Sequence, residues 1–237
     1  MTVLAEPVVL PAAVFSTAWT MLDLGDPHPI FGVGRFWSDE SARWEQHVAA
    51  MAFLARTGLA AEEALAPRWR ATLQVLGHAE QECFGWSELQ NGNRGAAIAV
   101  RQGQDAVLAK VYDGLVELHP IPATRLATAL HDTLPPLPAA AIRPVAVEPR
   151  SETADPFEDG TDREYLSAVL RNRQLGVHQL YSAVRTGRDR RVGGPITVVD
   201  LEIGRVLTYR RENDRTELIP GGPPAVVKVL NDICDAL

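Results

Sequence analysis

The sequence predicts an α+β domain made of two similar halves, each an antiparallel four-stranded meander with helices. Helical periodicity alternates twice with runs of short strands along the 237 residues. At an offset of 100 residues, segment 116–120 (VELHP) lies over segment 216–220 (TELIP). In that register the apolar faces of the helices that follow also coincide: Leu126, Leu130 and Leu134 fall on Val226, Leu230 and Cys234. This period indicates a domain duplication with quasi-twofold symmetry, because solenoid repeats are much shorter.

In the first half, predicted as residues 1–138, helices precede the strands. An apolar run at 8–10 predicts an edge strand, and Pro11 can open the first helix. Ser38 is a suitable N-cap for a second helix, and Gly58 is a suitable C-terminal stop for it. The third helix has one apolar face, formed by Leu65, Trp69, Leu73 and Leu76.

Four strands are predicted to follow, at 82–89, 96–101, 105–112 and 115–118. A turn at 90–95 separates the first two, and Asp113-Gly114 is a strong tight-turn dipeptide before the fourth. Pro122 can open the helix that ends this half. The meander predicts a sheet with one face covered by its own helices.

The second half, predicted as residues 139–237, begins in a linker at 135–160 that contains an isolated strand at 142–147. Thr161 and Glu164 form a capping box for a helix. Strands are predicted at 176–184, 195–201, 205–210 and 215–218, and Pro223 opens the last helix. We expect the two halves either to pack against each other or to share one sheet.

Composition narrows the class of protein. Apolar residues make up 46% and charged residues 22% of the chain, which is typical of a globular domain and not of disorder. The net charge of −7 disfavours nucleic-acid binding. We read no signal peptide and no apolar run long enough to span a membrane. Two cysteines, Cys83 and Cys234, favour a reducing cytoplasm over a disulfide framework.

The motifs of common enzymes are missing from the sequence. There is no zinc-binding pattern, P-loop or GxSxG nucleophile elbow. His78 and Cys83 could form a base and a nucleophile, but Cys83 lies in a strand pattern where an inert buried thiol is more usual. We therefore expect a protein with no catalytic residues and no metal site. An enzyme built from residues distant in sequence stays open as an alternative.

A basic loop is predicted at 186–194, in the first hairpin of the second half. It contains Arg188, Arg190 and Arg191. Two interpretations are open: a solvated hairpin tip, or a contact loop for an acidic partner, since arginine is favoured at interfaces.

Four segments together resemble the EspG family of chaperones from actinobacterial ESX (type VII) secretion systems. They are FSTAWTMLDLGDPHP at 15–29, LARTGL at 54–59, RNRQLGVHQLYSAVR at 171–185 and VVDLEIGRVL at 198–207. The resemblance covers roughly residues 8–237. Val206 departs from the pattern, because an aromatic residue is usual there. The chain therefore resembles a divergent member, which bears on its partner more than on its fold.

The resemblance implies a cytosolic chaperone without cofactor. Its partner would be the apolar tip of a secreted helical PE/PPE-type or WXG-like protein. The implied binding residues lie in two hairpin turns and the last helix: Asn91, Gly92, Asn93, Arg94, Gln102, Gln104, Val229 and Ile233. A regulatory or scaffold protein with the same fold is the alternative, and a homodimer that occupies this surface would favour it.

Overall fold

A computed structural model of the chain describes residues 3–32, 40–61, 64–149, 160–211 and 214–237. Within these residues the strands of the first half are β1 (Val8–Pro11), β2 (Ala60–Ala61), β3 (Ala64–Leu65), β4 (Gln81–Leu89), β5 (Arg94–Gln102), β6 (Asp105–Tyr112) and β7 (Leu115–Pro120). Those of the second half are β8 (Val145–Val147), β9 (Gln174–Thr186), β10 (Asp189–Leu201), β11 (Gly204–Arg210) and β12 (Thr216–Pro220). The α-helices are α1 (Ala12–Met21), α2 (Glu40–Arg56), α3 (Pro67–Gly77), α4 (Leu126–His131), α5 (Gly160–Leu170) and α6 (Pro223–Asp235), and Pro29–Phe31 form one 3-10 turn.

The two halves share one antiparallel sheet. Its ten strands lie in the order β1-β7-β6-β5-β4-β9-β10-β11-β12-β8, and β2 pairs with β3 separately. Each half contributes its four-stranded meander and one outer strand. From either edge inwards, the sheet therefore has the outer strand and then the last, third, second and first strands of a meander. The seam is the pairing of β4 with β9, in which Phe84 lies opposite Tyr181. The predicted duplicated α+β architecture is confirmed, and the shared sheet settles how the halves meet.

Helices cover both faces of the sheet. On one face, α1 and α3 pack over the first half around the fully buried Trp69, and α5 packs over β10–β12 near Leu201. On the opposite face, α4 and α6 pack against β4–β6 and β9–β10 around Leu130 and Leu230. This arrangement follows from alternation along the strands, because neighbouring residues point to opposite faces.

Local sequence explains where most elements begin and end. Pro67 and Pro223 occupy the first turns of α3 and α6, where a missing N–H costs nothing. Gly58 follows α2 with a positive φ of 73°, as a C-terminal stop requires. Asp113 and Gly114 also have positive φ and form the tight turn between β6 and β7. The predicted cap Ser38 lies outside the described residues.

Several predicted boundaries are wrong. The helix expected from Pro122 begins only at Leu126 and ends at His131, because Pro135-Pro136 cannot continue it. Leu65 lies in β3 rather than in α3. Thr161 lies inside the first turn of α5 rather than at its cap. These shifts leave the order of elements intact.

The predicted linker and basic loop also need correction. The strand expected at 142–147 is shorter, Val145–Val147, and is not isolated, because it pairs with β12. The basic loop at 186–194 is almost entirely strand: β9 and β10 pair up to Thr186 and Asp189, and only residues 187 and 188 form the turn. Gly187, with φ of 63°, permits that two-residue turn. The domain boundary between residues 138 and 139 stays a prediction.

Candidate partner-binding site

The β4–β5 hairpin presents four of the predicted binding residues together. Asn91, Gly92, Asn93 and Arg94 are all exposed at its tip. The side chain of Asn91 accepts a hydrogen bond from the Asn93 N–H at 3.0 Å, and Gly92 has a φ of 83°. Because Asx turns and left-handed glycines fix such turns locally, the tip is held in shape by its own sequence. Arg94 forms an exposed ion pair with Glu88 at 2.8 Å.

Gln102 is the last residue of β5, and Gln104 lies in the turn that follows it, at the opposite end of β5 from Asn91. Gln104 is exposed, and Gln102 is half-buried. Gly103, between them, donates its N–H to Glu80 Oε2 at 3.1 Å. A nine-residue strand separates this turn from the tip at Asn91, a distance of roughly 30 Å.

The two predicted residues of α6 differ in exposure. Val229 is buried in the core between α6 and the sheet, whereas Ile233 is only partly buried. The C-terminal end of α6 lies at the Gln102 end of the sheet, because Cys234 Sγ accepts a hydrogen bond from Gln81 Nε2 at 2.6 Å. Gln81 pairs with Arg101, next to Gln102. The structure therefore brings Ile233 towards Gln102 and leaves the Asn91 hairpin at the other end.

Beside the Asn91 hairpin lies an apolar cleft that the sequence interpretation missed. It arises because α4 has six residues where its counterpart α6 has thirteen. In the second half, Ile233 of α6 packs directly on Gly193, where a Cβ atom would collide with it. In the first half, α4 ends early, and the small residues Gly85, Gly95 and Ala97 line a cleft instead.

The cleft has a volume of about 210 Å³. Its walls are Gly85, Ser87, Leu89, Asn93, Arg94, Gly95, Ala97, Lys110, Tyr112, Leu130, Thr133, Leu134, Pro135 and Leu180, among others. A second cleft of about 360 Å³ shares Leu89 and Pro135 with it and is also lined by Gln90, Asn91, Pro136, Leu137, Leu175 and Asp200. Glycines inside strands often mark close approach by another group, and this signal could have indicated the cleft from sequence.

A row of hydrogen-bonded polar side chains, Ser87, His178 and Asp200, lies between the two clefts. His178 is fully buried, with Nδ1 2.8 Å from Ser87 Oγ and Nε2 3.2 Å from Asp200 Oδ2. Burial alone would raise the pKa of Asp200, but hydrogen bonds from Arg205 and His178 hold that pKa below its usual range. Arg205 also donates to Pro135 O at 2.6 Å. The row therefore ties the sheet to the segment that forms the wall shared by both clefts.

The row has the residue types of a Ser-His-Asp triad, but its setting is that of a structural network. His178 has no exposed surface, and Asp200 is occupied by the bidentate guanidinium of Arg205. The backbone of Ser87 is paired on both sides in the sheet, with Gly95 and with His178. That pairing removes the backbone donors that an oxyanion hole would need at the nucleophile.

The other candidate for catalysis, His78 with Cys83, is not assembled as a pair. Burial raises the pKa of the Cys83 thiol to about 12, so the thiol stays protonated and unreactive at neutral pH. His78 Nδ1 instead lies 3.2 Å from Gln74 O of α3, the helix whose C-terminal end His78 caps. Among the described residues, no group of three or more His, Cys, Asp or Glu side chains could hold a metal ion.

Arg190, predicted in a solvated or partner-binding loop, instead forms an internal ion pair. Its Nη2 lies 2.6 Å from Oε2 of the buried Glu82, and its guanidinium lies over the Phe84 ring at 5.4 Å. His28 completes the cluster, with Nε2 3.0 Å from Arg190 Nη2. This cluster connects the loop after α1 with β10 of the second half.

In the part of the chain that the structure describes, no helix is long and apolar enough to cross a membrane. No curated protein matches the sequence. The model of the EspG family matches residues 11–232. The fold is similar to that of the Mycobacterium tuberculosis type VII secretion system chaperone EspG5, solved in complex with a PE25-PPE41 dimer. The TM-score is 0.75 at 15% sequence identity, over 98% of this chain and 96% of that chain.

Proposed function

The chain belongs to the EspG family, and from this membership we propose that it is a cytosolic chaperone that binds helical substrates of a type VII secretion system. The solved relative was captured with a PE25-PPE41 dimer. The substrate proposed here is of the same kind, a secreted helical pair with an apolar tip. Covering such a tip keeps the substrate soluble, since exposed apolar patches promote aggregation.

The apolar cleft beside the exposed Asn91 hairpin supports a site for this contact. A cleft of about 210 Å³ takes apolar side chains rather than a whole helix. The hairpin tip offers backbone and amide groups for the polar rim of the same contact. Asn93 and Arg94 belong to both the tip and the cleft wall. We therefore assign the main contact to Asn91, Gly92, Asn93 and Arg94 together with the cleft.

Gln102, Gln104 and Ile233 form a second candidate contact at the other end of β5. One helical tip does not span the roughly 30 Å between the two regions, so the second region would contact a different part of the substrate. Val229 supports this region from the core, because it is only 7% exposed.

Filling the cleft tests the proposal directly. Gly95 lines the cleft, and a Cβ at that position would lie 3.6 Å from Val111 O, an ordinary contact. We expect Gly95→Phe to fold and to lose co-elution with the helical substrate pair in size-exclusion chromatography with light scattering. Gly95→Ala is the matched control, which leaves the cleft open and keeps binding.

Two results would contradict the proposal. The function fails if the wild-type chain elutes alone with every PE/PPE-type or WXG-like pair encoded beside its gene. The site alone fails if a substrate binds and Gly95→Phe binds equally well. The same measurement on Gln104→Ala and Ile233→Ser reports separately on the second region.

A further inference from the structure

The second half of the domain contains a filled counterpart of the apolar cleft. At the cleft, Ser87 of β4 pairs with Gly95 of β5, and in the second half Ser182 of β9 pairs with Gly193 of β10. Each serine lies two residues beyond the middle of the β4–β9 seam. The two glycines therefore correspond under the quasi-twofold symmetry, and both face the layer that contains α4 and α6.

The C-terminal end of α6 fills this counterpart. A Cβ atom at Gly193 would collide with Ile233 Cγ2 and would lie 3.5 Å from Leu237 Cδ2. Leu237 follows the end of α6, and the backbone stays coiled there, because the Leu237 N–H donates to Cys234 O at 3.3 Å. Side chains four residues apart lie on one face of a coiled backbone. Gly193 is therefore covered by an aliphatic pair that comes from a helix end.

The first half lacks such a pair at Gly95. At the offset of 100 residues, Thr133 stands where α6 has Ile233, and α4 has already ended. The Thr133 hydroxyl donates to Leu130 O at 2.7 Å. An added Cβ atom at Gly95 would therefore have only Val111 O within 4 Å, at 3.6 Å. The cleft is the space that the last turn of α6 occupies in the other half.

We propose that the substrate supplies the missing turn, an inference that rests on the function proposed above. Its recognition element is a helix end with two aliphatic side chains four residues apart, which sit on Gly95 as Ile233 and Leu237 sit on Gly193. A glycine within a strand permits this close approach. The cleft is lined mainly by apolar groups, so a polar or charged side chain at either position of the pair would lose its hydration without a partner. The chain thus carries in α6 a copy of the form of its ligand.

The probe for this proposal is a synthetic copy of residues 223–237, which form α6 and the two residues after it. Short helices are marginal in water, so an amide bridge between the side chains of Lys228 and Asp232 should hold the copy helical. These exposed side chains already form an ion pair at 2.5 Å. We expect the copy to bind the full chain and to shift the backbone amide resonance of Gly95 in NMR spectra. Binding should be lost in Gly95→Phe and kept in Gly95→Ala.

Variants of the copy test the aliphatic pair. Ile233→Ala and Leu237→Ala in the copy should each weaken binding at least about tenfold, because each removes most of a buried apolar side chain. Asn231→Ala, at an exposed position of α6, is the matched control and should leave binding unchanged. The copy should also displace the helical substrate pair in size-exclusion chromatography.

Several results would overturn the proposal. They are a copy that does not bind at about 1 mM, equal binding to Gly95→Phe, and binding that is insensitive to Ile233→Ala in the copy. A substrate that Gly95→Phe rejects but that the copy does not displace would also overturn it, and would leave the proposed function intact. If no substrate binds the wild-type chain, the proposed function fails, whereas a copy bound at Gly95 still supports recognition of a helix end.

Discussion

Arg205 donates to both carboxylate oxygens of Asp200, at 2.6 Å from Nε and 2.9 Å from Nη2, and both side chains are almost wholly buried. The same arginine also makes three hydrogen bonds to segment 135–140. Its side chain donates to Pro135 O, its backbone N–H donates to Pro138 O, and its carbonyl accepts from the Ala140 N–H. One residue therefore connects the hairpin of β10 and β11 with the wall of the proposed substrate cleft.

Removing the arginine should strongly destabilise the fold. We expect Arg205→Met to lower the free energy of unfolding by about 3–5 kcal/mol, because it leaves the carboxylate of Asp200 buried without a cation. Urea denaturation measures the change. The double variant Asp200→Asn with Arg205→Met should recover part of the loss, since no charge is then buried. A single variant as stable as wild type would show that the pair does not hold this region.

Acidification should destabilise the protein through His28. Burial lowers the pKa of His28 from 6.5 to about 4; the charge of Glu82 opposes this shift and that of Arg190 adds to it. The unfolded chain therefore binds a proton at His28 between pH 6.5 and 4 that the folded chain does not bind. The effect of His28 on the free energy of unfolding is therefore constant above pH 6.5. Between pH 6.5 and about 4, His28 lowers that free energy by on the order of 3 kcal/mol.

The control for this prediction is His28→Asn. Asparagine is a good N-cap and can accept the hydrogen bond that His28 Nδ1 accepts from the Ile30 N–H, but it does not titrate. The difference in unfolding free energy between wild type and His28→Asn should therefore change with pH between 6.5 and 4. A difference that is flat across this window would contradict the prediction. Asp200, whose pKa is lowered from 3.8, contributes only below the window.

Gly85 should tolerate no side chain. A Cβ atom there would lie 2.5 Å from both Gln179 O and Leu180 Cδ2 across the seam. We expect Gly85→Ala to cost about 1–3 kcal/mol or more, because backbone of the neighbouring strand must shift. Gly95→Ala, one strand away, should change the melting temperature little. Equal effects of the two substitutions would show that the seam is not packed as described.

Substitutions at Val229 and at Ile233 should have different effects on stability and on substrate binding. Val229→Ala should lower the free energy of unfolding by about 1–3 kcal/mol, because it leaves a cavity under α6. Ile233→Ser, at a partly buried position, should cost less stability. Calorimetry measures the unfolding, and titration with substrate measures the binding. If Val229→Ala weakened binding while stability stayed unchanged, Val229 would belong to the contact surface itself.

Much of the fold could be predicted because its signals are local. The Asp113-Gly114 turn, the proline starts of α3 and α6 and the alternation of the strands each follow from a few neighbouring residues. The duplication was visible because strand and helix faces recur in register. The pairing of β4 with β9 could not be read from the chain, since both halves would bury the same apolar residues if they packed as two separate sheets.

The candidate site could be predicted only in part, for the same reason. The exposed turn at Asn91 and Gly92 could be predicted because a few neighbouring residues determine it. The cleft depends on α4 ending before Pro135 and on glycines in two strands, which become adjacent only in the folded sheet. The sequence predicts a loop around Arg190, but the backbone of Arg190 pairs with Arg185 in the sheet. Its side chain binds Glu82, which lies 108 residues away in the sequence.

The seam between β4 and β9 also constrains how the chain reaches its native state. β4 pairs on one side with β5, which follows it directly, and on the other with β9, beyond the linker. While the ribosome is still making the second half, that other edge has no neighbour, and an open strand edge is a template for pairing with other chains. Closing the long loop between the two strands is entropically costly and slows folding. A protein that we propose protects others from aggregation is therefore itself vulnerable to it until its second half has been translated.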